Sequence, residues 1–236
     1  RTFTANATWN ITIRDIAWNT SAIAYNVNNI DKITPTISAN NGSTTLWRNS
    51  KVDITLSVGD NGWSWIQYAK YRWDNSWCTT GTNFTNGARV QVPSEWTHTL
   101  YLCTRDVAGN INTWSGVYKY DATNPTVTDN YWAKDGVWQN TQQTIVFTPN
   151  DPNGTDHSWL LSTKYCWGNT CDVSNGTIAT SITITPDKND TLRYQSYDRA
   201  WNSSTIWSIE VKIEDNNPAT TMSFTSGGNT YTPWLN

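Results

Sequence analysis

Four cysteines, two histidines and nineteen acidic residues are the groups through which this 236-residue chain could ligate a metal, move a proton or attack a carbonyl. Their spacing does not assemble a reaction centre. No nucleophile sits near a base at a motif spacing and no glycine-rich phosphate loop occurs, so no enzyme and no cofactor are expected. Cys78 and Cys103 are 25 residues apart, whereas Cys166 and Cys171 are 5 apart. Zinc would require a consistent ligand spacing, which these pairs and the two non-equivalent histidines, His98 and His157, do not provide. Disulfides are the expected chemistry, and they place the chain outside the reducing cytoplasm.

Three other residue classes carry weaker signals. Nine Asn-x-Ser/Thr sites, at Asn6, Asn10, Asn19, Asn41, Asn83, Asn153, Asn175, Asn189 and Asn202, are glycosylation candidates. The 28 Asn, 38 Thr and 19 Ser would produce about seven such sites by chance, so their number alone argues little. Sixteen tryptophans invite a sugar-stacking reading. Trp63, Trp77, Trp96 and Trp132 have no counterparts elsewhere in the chain and are the candidates for exposed sugar-stacking platforms. Asp106, Asp121 and Asp198 raise calcium, but that ion needs six to eight oxygens. One or two acids at each place favour turn aspartates bonding their own backbone, and no metal is expected.

Composition excludes several classes. Charged residues are 15% of the chain, against about 25% in an average soluble domain, and the formal net charge is −3. The 16 basic residues are scattered, so no nucleic-acid footprint is present. No run of 18 apolar residues could span a membrane as a helix. No charged-then-apolar leader opens the chain, so Arg1 is read as a processed end or a cut. A neutral surface of amides and hydroxyls favours a sugar coat to keep it soluble. Abundant Thr, Val, Ile, Trp and Tyr point to strands, and an all-β protein is expected.

Internal repetition organises these residues. Arg14-Asp15-Ile16-Ala17-Trp18-Asn19 recurs as Arg105-Asp106-Val107-Ala108-Gly109-Asn110 and as Asp198-Arg199-Ala200-Trp201-Asn202. An acidic residue four positions before a proline follows each copy (Asp31/Pro35, Asp121/Pro125, Glu214/Pro218), and then a Trp-x-Asn. The unit is about 92 residues long. Eleven tryptophans, among them Trp18, Trp65, Trp114, Trp138, Trp159, Trp201 and Trp207, recur at matching positions and are expected in cores or junctions. Alternating runs such as Val52/Ile54/Leu56/Val58 and Ile209/Val211/Ile213 read as half-buried strands, and Asn-Gly pairs at 61, 86, 153 and 175 as tight reversals. About seven strands per unit describe a two-sheet sandwich of immunoglobulin type. The expected division is 1–35, the C-terminal part of a unit; 36–125 and 126–218, complete domains; and 219–236, the first strand of a further unit. Each complete domain then contains one cysteine pair.

Leu102-Cys103-Thr104-Arg105-Asp106-Val107-Ala108-Gly109-Asn110, followed by Trp114-Ser115-Gly116 and Tyr120-Asp121-Ala122-Thr123-Asn124-Pro125, resembles the bacterial immunoglobulin-like repeats with an Asp-x-Ala-Gly-Asn motif. The resemblance covers essentially the whole chain, although Trp18 and Trp201 stand where the motif has Gly, which suggests a special packing role for them. It implies secreted or cell-surface arrays acting as stalks, adhesin shafts or fibre bodies, and it transfers no catalytic residue. The expected function is a non-enzymatic structural repeat of an extracellular fibre or stalk, glycosylated and assembled head to tail with itself. The incomplete ends mark either a window of a longer array or a subunit that pairs by strand addition. The alternatives are a carbohydrate-binding adhesin and an accessory module of a secreted enzyme.

Overall fold

The computed structural model describes residues 4–41, 46–152 and 158–216, and the backbone of 224–226 and 229–231. The chain is all-β, and no described helix is long and apolar enough to cross a membrane. It forms two compact units: 1–123 with 153–159 and 199–202, and 124–152 with 160–198 and 203–236.

The first unit opens with an antiparallel hairpin of β1 (Ala7–Arg14) and β2 (Thr20–Val27). Its sandwich contains β3 (Thr36–Ala39), β4 (Trp47–Arg48), β5 (Ile54–Gly59), β6 (Ile66–Trp73), β7 (Thr82–Asn83), β8 (Arg89–Val90), β9 (Trp96–Asp106) and β10 (Ile111–Tyr120). One sheet has the order β3-β5-β8 and the other β4-β10-β9-β6-β7, with β4 parallel to β10. The period-2 pattern turns Ile37, Ile54, Leu56, Leu100, Leu102 and Tyr118 inward to form one core. Chain crossings between the two sheets make this an immunoglobulin-like sandwich.

The second unit repeats the plan with β11 (Thr126–Asp129), β12 (Trp138–Gln139), β13 (Gln143–Asn150), β14 (Leu160–Trp167), β15 (Thr177–Ile178), β16 (Ser181–Ile184), β17 (Lys188–Asp198) and β18 (Trp207–Ile213). Its sheets are β11-β13-β16 and β12-β18-β17-β14-β15. Val127, Ile145, Phe147, Leu192, Tyr194 and Val211 lie at its core. Beyond it, where one opening strand is expected, β19 (Phe224–Ser226) and β20 (Asn229–Tyr231) pair as a short hairpin.

The reversals differ from expectation. Asn61-Gly62 links strands of opposite sheets, and Gly176 follows a 3-10 turn with extended backbone. Of the Asn-Gly glycines, Gly87 has a positive φ (86°), and Asn153-Gly154 lies outside the described residues. The β9–β10 hairpin is instead closed by the Asp-x-Ala-Gly-Asn segment, with Gly109 at φ 99°. Trp18 and Trp201 hold the same turn position at φ 71° and 70°, a region costly for any residue with a Cβ. Both indoles are exposed, Trp18 lying under the Arg14 guanidinium at 4.7 Å, so the special packing role expected of them is not found. The turn selects the backbone conformation and leaves the side chain in solvent. Trp201→Gly should therefore raise stability by about 1 kcal/mol, and Gly109→Ala should lower it by a similar amount, both read from denaturant unfolding.

Candidate functional site

The β1–β2 and β9–β10 turns are each built around an aspartate. Asp106, fully buried at the end of β9, accepts the backbone N–H of Asn110 and its Nδ2–H, each at 2.7 Å. Asp15 does the same with Asn19 at 2.8 Å. Burial alone would raise the Asp106 pKa, but hydrogen bonds from Asn110, Ser64 and Gly109 together outweigh it and hold the carboxyl below its ordinary range. At Asp15 the Asn19 side-chain bond leads the same downward shift.

The asparagine then reaches the incoming linker. Asn110 Nδ2 donates to the carbonyl of Asp31 at 3.2 Å, and Asn112 Nδ2 to the carbonyl of Pro35 at 2.8 Å. The Asp31 carboxylate accepts the N–H (2.8 Å) and O–H (2.7 Å) of Ser64 and the N–H of Ile33 (2.9 Å). Ser64 is the chief cause of the lowered Asp31 pKa. Within the same unit the pattern recurs on Asp121. Its carboxylate accepts the N–H (2.9 Å) and O–H (2.6 Å) of Ser158 and the N–H of Thr123 (2.9 Å), and its carbonyl accepts Asn202 Nδ2–H at 2.9 Å.

The turn reading of the aspartates holds, but the count of acids does not. Carboxylate oxygens of Asp31, Asp60 and Asp106 converge within 4.8 Å of one another, making three acids where one or two are expected. Asp60 Oδ1 accepts the Gly62 N–H at 2.8 Å, while its buried Oδ2 has no hydrogen-bond partner among the described residues. Oxygen ligands of this kind suit hard divalent cations, though three acids supply only part of such a shell. Gly62 is required here because a Cβ at that position would lie 2.3 Å from Asp31 Oδ2. Asp60 and Ser64 escape a reading that follows only the turn motif. Asp151 and Ser158, at the matching repeat positions, are the signal that could have revealed them.

Cys78 is bonded to Cys103, and Cys166 to Cys171. Among the sequons, Asn6, Asn10, Asn19, Asn41, Asn83, Asn175 and Asn189 are exposed, and Asn153 lies outside the described residues. Asn202 is a correction. It is buried, and its Nδ2, the atom a glycan would use, is committed to the Asp121 carbonyl. Trp63, Trp77, Trp96 and Trp132 are all exposed. So are Trp65, Trp138, Trp159 and Trp207, against the expectation that recurring tryptophans pack in cores or junctions; among the described ones only Trp47, Trp73, Trp114 and Trp167 are half-buried, and Trp234 lies outside the described residues. Their recurrence follows backbone position in the repeat rather than burial.

No family model and no curated protein matches the chain. Among solved structures it is similar to the fibronectin(III)-like modules of Clostridium thermocellum CbhA, at 11% identity and TM-score 0.39 over 79% of this chain and all of that one. It is also similar to extracellular cadherin domains 3–6 of protocadherin gamma B2, at 13% identity and TM-score 0.32 over 93% of this chain and 59% of that one.

Asp106→Ala removes both acceptors of Asn110 from a buried turn and should cost about 2–3 kcal/mol in urea unfolding. Removing the Cys78–Cys103 link, which spans 25 residues, should cost about 3–4 kcal/mol, against about 2 for the 5-residue Cys166–Cys171 link. The lowered pKa values of Asp15, Asp31, Asp106 and Asp172 fix the sign of the acid response. Their stabilisation is complete above the unfolded carboxylate range and is lost as pH falls through the folded values. The melting temperature should hold between pH 7 and about 5 and drop below about 4.

Proposed function

We propose that this chain is a non-enzymatic structural repeat protein of an extracellular or cell-surface fibre or stalk, of the bacterial Asp-x-Ala-Gly-Asn immunoglobulin-like type. The observation that carries this reading is the repeated lock between turn and linker. Asn110 on Asp31 and Asn202 on Asp121 are the same bond made by successive copies. Such a device serves a chain whose task is to fix one repeat after another. The two disulfides suit an oxidising exterior, and the exposed sequons offer places for a glycan coat.

Self-assembly draws support from the β1–β2 hairpin. Ile11 and Ile13 stand where β9 has Leu102 and Thr104, both fully buried, yet the hairpin residues are exposed. With Ile23 and Tyr25 they form a core face that has no covering sheet among the described residues. Strands from another repeat of the same kind would cover it, giving head-to-tail association.

Sedimentation velocity of the 236-residue chain tests this directly. Concentration-dependent association is expected, and Ile11→Lys with Ile23→Lys should abolish it without lowering the melting temperature. A chain that stays monomeric at high concentration would remove the head-to-tail reading. Saturable glycan-array binding lost in Trp63→Ala would replace it with the adhesin.

A further inference from the structure

One concavity of the second sandwich is lined by residues that differ from their counterparts in the first. A cleft of about 300 Å³ opens beside β11 and β18, lined by Trp132 and Trp207 and by the acidic residues Asp129 and Asp135. In the first sandwich Trp114, the counterpart of Trp207, folds over Gly116, where a Cβ would lie 2.3 Å from the indole. The counterpart of Gly116 is Ile209, which is buried. An isoleucine there denies Trp207 the inward position, and its ring stands 51% exposed as one wall of the cleft.

The polar residues are also special to this unit. Asp129 occupies the place of Ala39, and Tyr194 that of Leu102. The Tyr194 hydroxyl donates to Asp129 Oδ2, and the Tyr131 N–H donates to Asp129 Oδ1 at 2.6 Å, which fixes that carboxylate. Asp135 is anchored through the Glu210 N–H at 2.6 Å. Burial, then the Asp129 hydrogen bond, then the charges of Asp129 and Asp135 push the Tyr194 hydroxyl far above its ordinary pKa, so both charges act at one place. Among the described residues no basic side chain lines the cleft. The nearby lysines are engaged elsewhere: Lys134 donates to Gln143 at 2.6 Å, and Lys212 pairs with Glu210 at 2.9 Å.

We propose that this cleft binds the methylated ammonium group of a small organic ligand. Indole faces and carboxylates both present negative potential, which a soft, weakly hydrated cation satisfies at once. A neutral sugar could stack on the indoles but would leave the two carboxylate charges unmatched. The volume is at the lower end of small-ligand sites and fits one such group with a short substituent. The site is independent of the fibre reading and stands or falls without it.

Calorimetric titration of the 236-residue chain with choline chloride tests the assignment, with 3,3-dimethylbutan-1-ol as the uncharged isostere and methyl glucoside as a neutral sugar. Choline should bind saturably, and the isostere about tenfold more weakly or not at all. Trp132→Ala and Asp135→Asn, both at exposed positions, should each weaken choline about tenfold with an unchanged melting temperature. Trp63→Ala should leave binding intact. Isostere or glucoside binding as tight as choline, or no choline binding at all, would overturn the proposal.

Discussion

The bond on which the rest depends is the one between an aspartate carboxylate and the asparagine four residues on. Asp106 gathers both N–H groups of Asn110, and that closes β9 onto β10 in a fixed register. The hairpin then supplies Leu100, Leu102 and Tyr118 to the core of its sandwich. Once closed, it also aims Asn110 and Asn112 at the carbonyls of Asp31 and Pro35, so one turn sets both the sandwich and the linker that enters it. An ionised carboxylate suits this position, because it accepts in several directions and loses nothing by having no proton to donate.

Around that constant element the two sandwiches diverge. Cys103 ties β9 to Cys78 in the first, whereas its counterpart Gln195 donates to the Ser204 carbonyl and accepts the Tyr197 hydroxyl. The second disulfide is local, and the Arg193 guanidinium donates to the carbonyl of Cys171 within the same loop. The exchange of Gly116 for Ile209 moves one tryptophan from the core edge to the solvent side. A repeat that keeps its turn can therefore vary its staples and its surface independently, and the Trp132–Trp207 cleft is one such variation.

Much of this was legible beforehand, for physical reasons. Period-2 burial is written directly into Ile54/Leu56 and Ile209/Val211/Ile213, and pairing one cysteine couple per repeat needs only the repeat boundaries. The reversals differ from the sequence pattern because Asn-Gly satisfies a local rule at 61–62 and 175–176 that the chain does not use there. The convergence of Asp31, Asp60 and Asp106 was hidden because it joins three segments far apart in sequence, and only their matching repeats betray it. Tryptophan exposure is not written in the repeat, because recurrence reports a shared backbone position and not the side of the sheet on which a ring ends. Asn202 shows the same limit: a sequon gives the acceptor triplet and says nothing of what its amide already binds.

The measurement that bears most directly on the central claim is electron microscopy of native material carrying this protein. The longest strands have 11 residues, and at about 3.3 Å per residue the sandwiches should give beads repeating every roughly 30–45 Å. A long beaded filament with that spacing, carrying mass beyond the polypeptide, is the expected image. Discrete short particles with no linear repeat would contradict the structural-array account.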